Sequence, residues 1–167
     1  MNNKLHALIF IAAAAISLPA APPTDIIFTG EASWSIASGV AIPVGRSGFW
    51  TSGTVPTQLN KEGATVYERY GDTYTQAVSC LRNIEAVLAQ QGLTLKDVVY
   101  LRVYLTPDAA KSGKTDYPGW FKAYGEFFNN EQNPAKTARS TVGVHSLVSP
   151  DWLIEIEAFA VYPAATP

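Results

Sequence analysis

The stretches Ala138-Arg139-Ser140-Thr141-Val142 and Ile154-Glu155-Ile156-Glu157-Ala158 decide the fold, because both alternate in the way that β-strands do. We predict that one face of these strands meets the core through Val142, Val144, Ile154, Ile156, Ala158 and Ala160. The polar positions on the opposite faces are Arg139, Thr141, Glu155 and Glu157. A guanidinium and a carboxylate on neighbouring strands would suit the binding of an acidic substrate and the activation of a water.

The chain before these strands alternates between helical and strand patterns. Asp72 is a helix cap, and apolar residues follow it at helical spacing up to Leu88, before Gly92 ends the helix. Residues 98–105 are β-branched and aromatic, which predicts a strand. Aromatic residues at helical spacing predict a second helix over residues 118–129.

The residues before Asp72 predict only short elements. Two or three strands are expected between Gly30 and Ser52, the clearest over residues 48–52, and a loop is expected up to Tyr70. Together these elements predict an α+β fold, in which a mixed sheet carries two helices packed on one face.

The spacing of Arg139 and Glu155 bears on how the two would act together. If their strands form a hairpin that turns near Ser149, the residue opposite Arg139 lies near Phe159. Glu155 is then roughly 13 Å further along the strand. A site that uses both groups would therefore combine Arg139 of one subunit with Glu155 of another. The residues predicted to line that interface are Leu153, Phe159 and Val161.

Structural explanations of these charges stay open. Arg139 can project into solvent or pair with Glu157, and Glu155 and Glu157 can protect an edge strand from aggregation. Other sites have less support, because the chain has no Walker or Rossmann glycine pattern and no Gly-x-Ser-x-Gly motif. Its two histidines do not have the spacing of metal ligands.

The composition describes a globular protein of one domain. Its 167 residues are 47% hydrophobic and 16% charged, with a formal net charge of -2. No cluster of Lys and Arg stands out, so we predict no nucleic acid and no anionic membrane surface as a partner. The single cysteine, Cys80, excludes an internal disulfide and a multi-thiolate metal site. We expect it to be buried and to have no catalytic role.

The N-terminus has the order of a secretory signal peptide. Lys4 gives a positively charged start, an apolar run follows, and small residues lead to Pro22 and Pro23. The apolar run is short for a membrane anchor. We therefore expect residues 1–21 to be removed and residues 22–167 to form a single domain. The mature protein would be periplasmic or secreted, with no membrane contact.

Further stretches complete a recognisable pattern. Residues 50–56 read Trp-Thr-Ser-Gly-Thr-Val-Pro, and Gln76-Ala77, residues 83–88 and residues 98–105 follow. With the two C-terminal stretches, this order resembles the Rid family of reactive enamine and imine deaminases, also called the YjgF family. The resemblance covers residues 48–162, and its most specific part is the final pair of strands.

The resemblance implies a chorismate-mutase-like fold, assembled as a homotrimer with three clefts between subunits. It implies that Arg139 binds the carboxylate of a small-molecule substrate and that Glu155 positions the attacking water. Ser52 and Gly53 would help to hold the ligand, without a metal or an organic cofactor. The reaction would be hydrolysis of a 2-imino acid, formed from an unstable enamine, to a 2-keto acid and ammonia.

The chain also departs from the family's pattern. Phe121 falls where the family usually has an Asn in the cleft, and Thr141 falls where it commonly has a Cys. Both positions would bind the substrate, which we therefore expect to differ from the usual small imino acid. A trimeric binding protein for small carboxylates, with little or no turnover, is the alternative. A holdase-like or nuclease activity, sometimes attributed to relatives, has no direct support in these residues.

Overall fold

The computed structural model describes residues 21–164, so almost all of the predicted signal peptide, residues 1–21, lies outside the described residues. Within them, the α-helices are α1 (Val66–Tyr70), α2 (Thr73–Ala89) and α3 (Tyr117–Phe127). The strands are β1 (Ile27–Thr29), β2 (Gly39–Ala41), β3 (Gly48–Trp50), β4 (Val98–Leu105), β5 (Pro107–Asp108), β6 (Lys114–Thr115), β7 (Ala138–Gly143) and β8 (Ile154–Val161). None of the helices described in this range is long and apolar enough to cross a membrane.

The main sheet has four strands in the order β3-β8-β4-β7. Strand β4 pairs antiparallel with β8 and parallel with β7, and β3 pairs antiparallel with β8. The pairs β1-β2 and β5-β6 form two small additional sheets. The predicted mixed sheet is therefore confirmed.

Helices α2 and α3 pack on one face of this sheet, as predicted, and the core lies between the layers. The residues that fill it from the helices are Ala77, Cys80, Leu81, Ile84 and Leu88 of α2, with Trp120, Ala123 and Tyr124 of α3. The sheet contributes Leu101, Val103, Leu105, Ile154, Ile156 and Ala158. We call the side of the main sheet that α2 and α3 cover the helix face, and its opposite side the open face.

The predicted cap of α2 is confirmed, because the Asp72 carboxylate accepts a hydrogen bond from the Thr75 amide at 2.9 Å. The helix ends at Ala89, and Gly92 follows with a φ of +69°, a backbone conformation that favours glycine.

Strand β4 has the predicted bounds. Helix α1 lies inside the predicted loop, where Thr65 and Glu68 form a capping box.

The predicted hairpin of the last two strands is wrong. Strand β4 lies between β7 and β8 and pairs with both. Its side chains on the helix face, Leu101, Val103 and Leu105, are fully buried. The most apolar strand therefore occupies the centre of the sheet, and the two charged strands flank it.

The predicted faces of β7 are also wrong, whereas those of β8 are confirmed. Arg139 and Thr141 pair with Leu101 and Val103, so they lie on the helix face. Val142 pairs with Tyr104 on the open face and is 45% exposed. The predicted interface is wrong for two of its three residues. Leu153 and Val161 are buried within the chain and cannot line a contact between subunits.

One buried amide connects α2 to the start of β8. The side chain of Gln76 donates to the carbonyls of Gly71 and Asp151 at 3.1 and 3.0 Å. It accepts from the amide of Leu153 at 2.8 Å. These bonds hold the segment from which Glu155 extends.

We predict that Gln76→Leu lowers the free energy of unfolding by about 2–4 kcal/mol, because it leaves one buried and two partly buried backbone groups without partners. Urea unfolding measures the loss. Gln90→Leu, at an exposed position after α2, is the matched control and is expected to change stability by less than about 0.5 kcal/mol. Equal effects of the two substitutions would contradict the role given to Gln76.

Candidate functional site

Arg139 lies in an aromatic cage that α3 builds against the edge of the sheet. Its guanidinium carbon is 4.4 Å from the centre of the Tyr124 ring, 5.0 Å from that of Phe121 and 5.4 Å from that of Trp120. The three rings lie on one side of α3 because Tyr124 follows Trp120 by four residues and Phe121 by three, which are the spacings of neighbours on a helix surface. The cage forms because β7 turns Arg139 towards the helix.

The guanidinium has no anionic partner in the described part of the chain. Its Nη1 atom is buried and makes no hydrogen bond there. The ion pairs within 4.0 Å among residues 21–164 are Arg69–Asp151, Arg102–Glu157 and Lys111–Asp116. Burial lowers the pKa of Arg139, but an arginine remains protonated at neutral pH. Arg139 is therefore a partly desolvated cation whose N–H groups are available to donate hydrogen bonds to a carboxylate.

Two hydroxyl groups hold the rings of the cage in place. The Trp120 indole donates to Thr141 Oγ1 at 3.3 Å, and the Tyr124 hydroxyl lies 3.2 Å from Thr137 Oγ1. Thr141 therefore supports the cage through Trp120. Phe121 remains 48% exposed beside the guanidinium.

Glu155 projects from the open face near the start of β8. The neighbouring carboxylate on this face, Glu157, is engaged by Arg102 at 3.2 Å and by the Tyr104 hydroxyl at 3.1 Å. The Glu155 carboxylate has no hydrogen-bond partner among residues 21–164. The pairing of Arg139 with Glu157 that the sequence left open is therefore wrong. Of the two carboxylates, Glu155 is the one free to act.

Ser52 and Gly53 lie beside Glu155, where the chain leaves β3. The backbone amides of Thr51 and Thr54 donate to the carbonyls of Ala158 and Ile156, at 2.9 and 2.8 Å. The amides of Ser52 and Gly53, between these bonds, donate to no group that the structure describes. A Cβ on Gly53 would lie 1.7 Å from Glu155 Oε1, so the carboxylate reaches this backbone only because residue 53 is a glycine.

The six predicted site residues form two sets in different parts of the fold. The arginine set comprises Arg139, Thr141 and Phe121 at the β7 edge of the helix face. The glutamate set comprises Glu155, Ser52 and Gly53 near the β3 edge of the open face. Arg139 is in register with Leu101, and Leu101 with Ala158, three residues from Glu155. Strand spacings then separate the Cα atoms of Arg139 and Glu155 by about 14 Å. One chain does not bring the two groups to one small ligand.

The sequence does not reveal the cage itself. The helical spacing of Trp120 and Tyr124 indicates the apolar face of a helix, and the same spacing is equally suited to surround a cation. The expected burial of Cys80 is confirmed, and burial raises the pKa of its thiol, so it is not a nucleophile at neutral pH. Among residues 21–164, no group of three His, Cys, Asp or Glu side chains is placed to hold a metal ion.

Comparisons with known proteins agree on one family. The family model described as Endoribonuclease L-PSP matches residues 40–162. The 3-aminoacrylate deaminase RutC of Acinetobacter baylyi is 34% identical over 83% of this chain and 98% of its own. The crystal structure of YyfB, of the conserved Rid protein family of Yersinia pestis, has a TM-score of 0.62 and 24% identity, and covers 83% of this chain and 99% of that one. The structure of E. coli TdcF with bound serine has a TM-score of 0.54 and 27% identity, over 73% and 85% of the two chains.

We predict that Arg139→Met raises the free energy of unfolding by about 1 kcal/mol. Methionine keeps favourable contacts with the three rings, and the substitution removes a buried nitrogen that has no hydrogen-bond partner. Urea unfolding at fixed protein concentration tests this. Arg102→Met, which breaks the pair with Glu157, is the control and is expected to give no gain. A less stable Arg139→Met protein would show that the guanidinium is paired in the folded state.

Proposed function

Because the chain belongs to the Rid family, also called the YjgF family, we propose that it hydrolyses a reactive 2-imino acid, formed from an enamine, to a 2-keto acid and ammonia. The observation that carries this proposal is the unpaired guanidinium of Arg139 in its aromatic cage. RutC, the deaminase of 3-aminoacrylate, supports the reaction class. Bound serine in TdcF supports a small ligand with a carboxylate.

Arg139 would bind the substrate carboxylate through two parallel N–H groups. The planar guanidinium matches a carboxylate in this geometry, and the surrounding rings exclude water and strengthen the pair. A fixed carboxylate orients the imine carbon, which lies one bond away. Thr141 and Phe121 would complete this half of the binding site.

Glu155 would act as the general base. Its carboxylate takes a proton from water as the oxygen attacks the imine carbon, and it then gives this proton to the imine nitrogen. The hydroxyl proton of the resulting carbinolamine passes to the amine nitrogen, and the C–N bond breaks to release ammonia as the keto group forms. The free amides of Ser52 and Gly53 lie beside Glu155 and would hold an oxygen of the substrate or intermediate.

The two sets would meet between subunits of a homotrimer. They lie on opposite faces and near opposite edges of one sheet, so each can face the complementary set of a neighbouring chain. A closed ring of three subunits repeats this contact and contains three clefts, each with one arginine set and one glutamate set. We retain the predicted export to the periplasm or the medium as part of the proposal. No metal or organic cofactor is part of it.

A nuclease function, although the family model is described as an endoribonuclease, is not part of the proposal. A net charge of -2 with no cluster of Lys and Arg in the sequence does not favour binding of a polyanion. The remaining alternative is a binding protein for small carboxylates, which would keep the arginine set and lack turnover.

We predict that Arg139→Ala and Glu155→Gln each lower kcat/KM by about 100-fold or more, since one removes the anchor of the carboxylate and the other removes the base. The assay is ammonia release from freshly generated imino acids. Glu157→Gln is the matched control, on the same strand and face but engaged by Arg102, and is expected to retain most activity. Carboxylate binding without hydrolysis of any imine would instead support the binding protein.

We predict that the two inactive variants complement each other when they are co-expressed. In a random mixture, about a quarter of the clefts join an intact Arg139 to an intact Glu155 from the neighbouring subunit, so about a quarter of wild-type activity is expected. A site built within one subunit would give no recovery. Light scattering that shows only monomers would also contradict the shared cleft.

A further inference from the structure

Two large aromatic side chains remain exposed beside the unpaired guanidinium. Tyr117 and Phe121 lie one turn apart at the start of α3, with ring centres 6.3 Å apart. They are 37% and 48% exposed, whereas Trp120 and Tyr124 on the same helix are buried. The apolar surface that α3 leaves open is therefore located at the cation.

The position of this pair is defined by its contacts. Arg139 lies against the Phe121 ring, at 5.0 Å from the ring centre. A Cβ on Gly143 would lie 2.8 Å from the Tyr117 hydroxyl, so a glycine at the end of β7 gives this side chain its place. Asp116 caps α3 by accepting from the Gly119 amide at 3.1 Å, which secures the turn that carries both rings.

The chemistry of such a surface favours a particular ligand. A guanidinium recognises a carboxylate, and adjacent rings recognise an apolar group attached close to that carboxylate. The Thr141 hydroxyl accepts from the Trp120 indole, so its principal contact is with the cage. A small or polar substrate side chain would give the rings of Tyr117 and Phe121 no apolar contact with the ligand.

Resting on the proposed imine hydrolysis, we propose that the substrate is a 2-imino acid with an aromatic or bulky apolar side chain. Arg139 holds its carboxylate, and the side chain packs on Phe121 and Tyr117. These two residues then determine specificity and take no part in proton transfer. The base, Glu155, belongs to the other set, so its position does not depend on which side chain packs against the two rings.

The kinetic test compares the imines generated from phenylalanine and from alanine by an amino acid oxidase. The wild-type protein is expected to have a kcat/KM at least about tenfold higher for the phenylalanine-derived imine. Phe121→Ala is expected to bring the ratio of the two values close to one, and Phe121→Leu to give an intermediate ratio. Lys122→Ala is the matched control on the same helix, because its side chain lies 4.0 Å over the Tyr74 ring and away from the cage.

A binding test separates this inference from the proposed function. Calorimetry with phenylpyruvate and pyruvate, the stable keto acids, is expected to show at least about tenfold tighter binding of phenylpyruvate, and this preference is lost in Phe121→Ala. Equal affinities would overturn the aromatic substrate class, even if both imines are hydrolysed. The expected preference in binding, with no hydrolysis of any imine, would instead overturn the proposed reaction and retain the ligand class.

Discussion

The position of β4 between β7 and β8 is the constraint on which the candidate site depends. Because β4 pairs with both strands, it fixes the register of Arg139 and of Glu155 against one apolar strand. Side chains in a strand alternate between faces, so this register directs Arg139 to the helix face and Glu155 to the open face. No rotamer change brings the two groups together across the sheet.

The same arrangement places each group in an environment suited to one task. The cage around Arg139 is apolar and partly dry, which strengthens its attraction for a carboxylate and leaves the cation without a partner in the described chain. Glu155 lies beside exposed backbone at Ser52 and Gly53, where water has access. Trp120 and Tyr124 of the cage also belong to the core between α2, α3 and the sheet.

Much of the fold could be predicted from the sequence, because α2, β4 and β8 each show a clear period and, for α2, a cap. The order of strands could not, since alternation within β7 and β8 does not reveal that β4 is inserted between them. The faces of β7 were misjudged for a related reason. Val142 is apolar and Thr141 is polar, yet an edge strand bordered by an aromatic helix places Thr141 inward and leaves Val142 exposed. For the site, the residue types of Arg139 and Glu155 were informative, but the cage was hidden in a helical pattern that equally describes a core.

Division of the site between two sets has a consequence for how such a protein changes its substrate. The residues that would recognise the substrate side chain, Phe121 and Tyr117, lie on α3 with the arginine set. The proposed base, Glu155, lies on the other face of the sheet, on β8, which is two strands away from the β7 strand that carries Arg139. Substitutions at position 121 therefore alter the surface offered to the substrate without moving Glu155 or the backbone at Gly53. Within one chain, the residues proposed for specificity and for proton transfer are therefore separate. In the proposed trimer they would meet only where two chains join, and the subunit contact would then align the bound imine with the attacking water.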